Sequence, residues 1–501
     1  MYFFKKILTC LFFCLTVTLL CQAQKNKIDN KFKIEYQVTE EETPISIVNC
    51  GKYGALTYYV SSNIGHDSLV WTVTQLDVNF EKVIEFNITL PGDIYYNGSA
   101  VNDSMIYTAL TTSNKKSKAN IVVVEYNMMS AKCSYAAYIS DSFERFTEID
   151  AVKRIAIVAY RTKNNTGRVL SANFNNGEVK DIISVDETDN SFKRFDVMNI
   201  VINRSNTGFY IFTIKNMPKL NSQTLTVESY TNGVKSTFYT KDFNDSITFV
   251  SASPLYSTTG QIQSIVGSYY KGELRHIRGD YNFGNKSTGV YSFNLQSDQL
   301  NIYPAAKTSQ DIYFIWNDPI EFDSVNSIKS RGYLFSGEAF FPVYRTVTDI
   351  DYDFWGRPYS VQRIELNGFS TFTGLNYIFL PDGNLVWSGL SYFENVVSLK
   401  PLKRTTTYIS EGNIINMAYS FDHIQYSILE PLTKSISSST YYPEKRYRKD
   451  VILKERNTTI EQWYGNYFLT SGYQLIKNNS IANKNKRWVM FLQKTGVTSN
   501  L

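Results

Sequence analysis

Apolar and aromatic residues in this chain gather in short runs, the runs come in pairs, and the pair recurs. Residues 55–60 pair in this way with 69–76, 105–112 with 121–126, 155–160 with 168–174, and 209–214 with 224–230. Each run has the length of a strand, and a polar linker of roughly 5–12 residues separates the two members. Alternation of period two is plain in Leu56-Thr57-Tyr58-Tyr59-Val60 and in Leu225-Thr226-Val227-Glu228-Ser229-Tyr230, the pattern of strands with two unlike faces. Asn97-Gly98, Asn176-Gly177, Asn232-Gly233, Asn367-Gly368 and Asp382-Gly383 read as hairpin turns, because these dipeptides accept the positive φ of tight turns.

The first members of the pairs start near 55, 105, 155, 209, 263, 333, 425 and 467. A period of about 40–55 residues with several strands per unit is the signature of propeller blades. One blade cannot bury both of its faces, so blades packed around an axis supply the core. With the start near 425 taken as a partial unit, the expectation is an all-β propeller of about seven blades, within a range of six to eight. It forms one domain over residues 24–501. The final strand-like stretch, Arg487-Trp488-Val489-Met490-Phe491-Leu492, is expected to close the ring against the first blade.

The rhythm breaks twice. The unit starting near Tyr333 carries an insert at about 344–370, and residues 434–457 are polar and contain the basic run Lys445-Arg446-Tyr447-Arg448-Lys449. Long inserts in regular repeats sit on a rim and tend to carry function. A solvated loop is the preferred reading of the basic run.

Residues 1–23 read as a signal peptide: Lys5 and Lys6 precede an uncharged stretch from 7 to 20, and Cys21-Gln22-Ala23 supplies a cleavage site before Gln24. Export to the periplasm, outer-membrane surface or exterior follows as an expectation, with lipidation at Cys21 as the alternative. Later stretches are too short or too polar for an apolar membrane span. Beyond the leader only Cys50 and Cys133 remain, as free thiols or as a pair. A formal net charge of +5 does not point to nucleic acid. The 37 Tyr and 32 Phe suit both half-buried strands and binding surfaces.

Gly337-Glu338-Ala339-Phe340-Phe341-Pro342-Val343-Tyr344-Arg345, Trp463-Tyr464-Gly465-Asn466-Tyr467-Phe468 and Gly472-Tyr473-Gln474-Leu475-Ile476-Lys477-Asn478 carry a resemblance. With the ending at 489–494 and the Gln22-Ala23-Gln24 leader junction, they resemble exported β-propeller-like proteins of Bacteroidota. The likeness covers mainly the second half of the chain. It implies an exported propeller and brings no activity or catalytic residue with it.

Candidate chemistry concentrates in the insert. Asp349, Asp351 and Asp353 alternate, so their carboxylates are candidates to converge on calcium. The EF-hand positions that need glycine and glutamate hold Phe354 and Ser360, so a solvated acidic loop is preferred and no cofactor is expected. Tyr344, Arg345, Trp355, Arg357, Tyr359 and Arg363 are the binding candidates, by stacking and paired hydrogen bonds. Tyr352 and Phe354 add to the aromatic content of the same insert.

Glu338 is the single catalytic candidate, and it needs an insert aspartate about 5–9 Å away for glycoside hydrolysis. The three histidines, His66, His276 and His423, show no zinc spacing. The tripeptide Arg278-Gly279-Asp280 is read as coincidence. The preferred reading is a non-catalytic binding or scaffold propeller, monomeric, contacting a glycan or an envelope or extracellular protein through the insert. A polysaccharide-active hydrolase using Glu338 and a structural envelope protein are the alternatives.

Overall fold

The computed structural model describes residues 27–38, 45–63, 68–91, 94–112, 120–140, 142–164, 166–184, 194–217, 222–243, 247–271, 289–304, 320–328, 332–398, 405–410, 413–420, 423–442, 450–478 and 486–498. The leader at 1–23, the Arg278-Gly279-Asp280 tripeptide and the basic run at 445–449 lie outside them.

The described residues form eight antiparallel sheets, each of four or five strands. First strands touch between blades one, two, three and four, between five and six, and between seven and eight, which places them around the axis. The chain is therefore an all-β propeller of eight blades, one more than the central expectation of seven and inside its range. The extra blade is the unit treated as partial. Its strands are Thr405–Ser410, Asn413–Ser420, His423–Glu430 and Ser435–Tyr441, so the start near 425 is its third strand.

The paired runs of the sequence are the second and third strands of each blade. In blade two, Met105–Thr111 and Ile121–Asn127 are buried almost throughout, whereas the fourth strand, Lys132–Tyr138, is largely exposed. Central strands pack against a neighbouring blade on both faces and so become continuously apolar, while the outermost strand meets water. Tyr58, Tyr107, Tyr126 and Tyr160 are fully buried between blades, each with its hydroxyl bonded. That use of tyrosine explains much of the aromatic content.

Three of the expected turns join third strands to fourth strands. Gly177, Gly233 and Gly383 adopt φ of 73°, 82° and 87° there. The other two are not turns. Asn97-Gly98 lies inside Tyr95–Asn102 at a bulge, and Asn367-Gly368 lies inside Pro358–Phe379, where Asn367 is the extra residue between the pairs Val343↔Gly368 and Tyr344↔Leu366. A side chain at position 98 would collide with the Phe146 ring at 2.9 Å, so glycine is needed there for close approach.

Closure differs from the expectation. Strand Lys486–Thr498 pairs with the N-terminal strand Lys27–Val38, from Lys27↔Thr498 to Val38↔Trp488, and both belong to the eighth blade. Blade one is then clamped onto this blade. The Trp463 indole donates to the carbonyl of Gly54 at 2.9 Å and stacks on Phe80 with centroids 5.2 Å apart. Lys494 lies over the rings of Trp463, Tyr464 and Tyr467 at 5.7, 5.1 and 4.5 Å and donates to the carbonyl of Val78 at 3.1 Å. Gly54, at φ 102°, has its Cα so near the Leu76 carbonyl that a Cβ would lie 1.9 Å from that oxygen.

Cys50 is buried and Cys133 half-buried in the packing between blades one and two, and both are free thiols.

Two predictions follow from these contacts. Trp463→Ala removes a buried ring and its hydrogen bond at the closure, and should cost about 3–5 kcal/mol in chemical denaturation. The second concerns Glu148 and Asp150, alternate residues on the first strand of blade three. Burial, aided by the neighbouring Asp150 charge, pushes the Glu148 carboxyl up to about 8, and burial pushes Asp150 up to about 6. Ile200 N–H donates to Glu148 Oε2 at 3.1 Å. Both folded-state carboxyls bind protons more tightly than the unfolded chain does, so stability should fall as pH rises from about 4.5 through 8. Melting curves of Glu148→Gln should show a flatter pH slope and a higher Tm at pH 8 than the parent.

Candidate functional site

The insert is a continuation of two strands. In blade six, Gly332–Tyr352 pairs with Pro358–Phe379 from Tyr333↔Phe379 out to Tyr352↔Pro358, with bulges at Ala339/Phe340 and Val343/Tyr344. The first strand of the blade accompanies this pair only as far as Ala339, and the fourth only as far as Phe369. Beyond Val343 the hairpin is a ribbon with no neighbouring strand in its sheet among the described residues. Nine residues at about 3.3 Å each carry it roughly 30 Å outward.

The turn at its end is built by Asp353. Its Oδ1 accepts from the N–H groups of Trp355 and Arg357, both at 2.8 Å, and Gly356 supplies φ of 73°. Phe354 and Trp355 meet edge to face at the tip, 94% and 73% exposed.

Register divides the side chains into two faces, because successive residues of a strand point to opposite sides. One face is charged. It holds Arg345 opposite Glu365, at 3.3 Å, and Arg363 between Asp349 at 3.7 Å and Asp351 at 3.8 Å, with Tyr359 paired to Asp351. The other face carries no charge: Tyr344, Thr346, Thr348, Ile350 and Tyr352 oppose Leu366, Ile364, Gln362, Ser360 and Pro358. On it Ile350 is 70% exposed and Ile364 76%.

The six sequence candidates for binding are thus on one element but not on one surface. Arg345, Tyr359 and Arg363 share the charged face, Tyr344 lies on the uncharged face, Trp355 is at the tip, and Arg357 flanks the turn 3.8 Å from Asp353. Asp349 and Asp351 do share a side, as their alternation requires, but Arg363 stands against both and Asp353 is bonded to the turn backbone. Among the described residues no group of three or more His, Cys, Asp or Glu side chains is arranged to hold a metal.

Glu338 is buried in the body of blade six, in register with Gly374. It precedes Asp349 by eleven positions on one extended strand, a separation of roughly 36 Å. The pairing of Glu338 with an insert aspartate is therefore not formed. Sequence reasoning missed Ile350, Ile364 and Thr346, whose shared face emerges only from the register.

No protein-family model and no curated protein matches the chain. Solved structures are similar to the chain at low identity, among them propellers. The WD40 domain of SCAP from fission yeast is similar over 94% of this chain and 98% of its own, at 9% identity and a TM-score of 0.41. The Dos1 propeller is similar over 80% and 92%, at 9% and 0.40. A periplasmic gluconolactonase of Pseudomonas aeruginosa is similar over 79% and 96%, at 11% and 0.32. At such identities the likeness extends to the fold and no further.

Because Arg363 occupies the space between Asp349 and Asp351, calcium and chelator should each leave the thermal transition of the protein unmoved. Arg363→Ala should change global stability by less than about 1 kcal/mol, as expected for exposed ion pairs.

Proposed function

We propose that this chain is an exported, non-catalytic binding or scaffold propeller that docks on a protein partner through the blade-six ribbon. The observation that carries the reading is the uncharged ribbon face, where Tyr344, Ile350, Tyr352 and Ile364 are 54%, 70%, 64% and 76% exposed. A two-stranded ribbon is marginally stable alone, and contiguous exposed apolar groups mark interaction sites. Aliphatic Ile350 and Ile364 between aromatic rings suit a protein surface better than a glycan. Export rests on the leader pattern at 1–23. Among the described residues no helix is long and apolar enough to cross a membrane.

The hydrolase alternative needs an insert aspartate beside Glu338, and Asp349 lies eleven positions along the same extended strand, roughly 36 Å away. The ribbon reading is tested by replacing residues 344–368 with a two-residue turn and, separately, by Ile350→Lys with Ile364→Lys. Both variants should melt like the parent and lose at least tenfold in affinity for an envelope-protein partner recovered by cross-linking, with a glycan array run in parallel. Identical binding by parent and variants removes the ribbon as the contact, and a glycan signal that depends on the ribbon replaces the protein partner by a sugar.

A further inference from the structure

The two faces of blade one differ in a way the ring does not require. Toward blade two it presents Leu56, Tyr58, Trp71 and Val73, all buried. Toward blade eight its register rows read Ala55–Leu76–Lys82, then Thr57–Thr74–Glu85, then Tyr59–Thr72–Asn87. The apolar packing continues through Ala55 and Leu76 of the first row, which meet Met490 and Leu492, and through Ile47, which stands beside Thr57 at the head of the second. Outward of Ile47 the next two rows are polar and already oriented: Thr74 donates to Glu85 at 3.1 Å and Thr72 to Asn87 at 2.8 Å.

Opposite them stand Tyr36 and Val38 of the N-terminal strand, with Tyr36 paired to Met490. Between the two blades a cleft of about 670 Å3 opens, lined by Tyr36, Tyr59, Thr57, Thr74, Lys82 and Glu85 among others. Packed repeats fill such space with aliphatic side chains, and departures from that rule concentrate at functional sites.

From this geometry we infer that the cleft between blades eight and one is a binding site for a neutral sugar ring. Its volume lies within the range of small-molecule pockets. Two tyrosine rings offer flat apolar surface. Threonine hydroxyls and the Glu85 carboxylate offer hydrogen bonds to ring hydroxyls. Among the described residues of the lining the one cation and one anion, Lys82 and Glu85, lie 3.6 Å apart and cancel, which selects against a charged ligand. The site is separate from the ribbon, which leaves the ring at blade six, so it stands or falls independently of the docking reading.

The test is saturation-transfer NMR on the full protein with methyl β-glucopyranoside, methyl β-galactopyranoside, methyl α-mannopyranoside and N-acetylglucosamine, each at roughly 20 mM, well above a millimolar Kd. At least one probe should receive saturation. Tyr59→Ala and Tyr36→Ala should weaken it about tenfold, and the ribbon-deleted protein should retain it. Thr74→Val, which keeps the side-chain shape and removes the donor to Glu85, guards against unfolding: it should melt no lower than the parent and still lose signal. Absence of transfer to all four probes, or transfer undiminished in Tyr59→Ala and Thr74→Val, overturns the assignment.

Discussion

Closure of the ring is the constraint on which the structure depends. A blade has two apolar faces and can bury neither alone, so the first and eighth blades must meet or leave an open flank. The chain meets this need by lending its N-terminal strand, Lys27–Val38, to the sheet that its last strand occupies. Buried charges accompany the graft: Glu35 is paired with Lys33 at 3.1 Å and with Arg487 at 3.7 Å, and Arg487 also reaches Asp450 at 2.7 Å. Ions taken out of water contribute little net stability, but a misplaced strand would leave them unpaired, at a cost of several kcal/mol. Register at the closure is thereby specified by chemistry as well as by shape. Trp463 and Lys494 then fasten the completed blade to blade one.

Much of this was readable in the chain because burial on two faces writes a strong signal. Runs such as 121–126 and 155–160 are apolar at nearly every position, and they proved to be the central strands. First strands line the axis and fourth strands face water, so Lys132–Tyr138 and Ser435–Tyr441 carry polar residues that look like linkers. The blade count suffered for that reason: in blade seven the third strand, at His423, was the visible one. The final strand was readable as the closing one, but its partner was not, since Val38 and Trp488 are 450 positions apart.

The candidate site was legible as a location and illegible as a surface. The break in period marked the insert, and alternation placed Asp349 and Asp351 on one side. What that side does depends on Arg363, which only the hairpin register brings onto the same face, within 3.8 Å of both. The same register assembles Ile350 and Ile364 into one face. Asn367-Gly368 illustrates the limit from the other direction: a dipeptide that favours turns was used for a bulge, in a strand whose pairing with Gly332–Tyr352 continues past it.

Both departures from regular packing occur where the nearest-neighbour logic of a propeller is relaxed. Lengthening the second and third strands of blade six adds paired backbone outside the ring and asks nothing of blades five and seven, so a roughly 30 Å ribbon is compatible with an unchanged core. At the seam of blades eight and one the demand for close packing is met at one end, by Ala55, Leu76 and Met490, together with the Trp463 clamp. The remainder of that seam is free to carry Thr57, Thr74 and Tyr59 without loosening the ring. Repetition supplies the rigid frame, and the positions released from repetition are those able to acquire chemistry of their own.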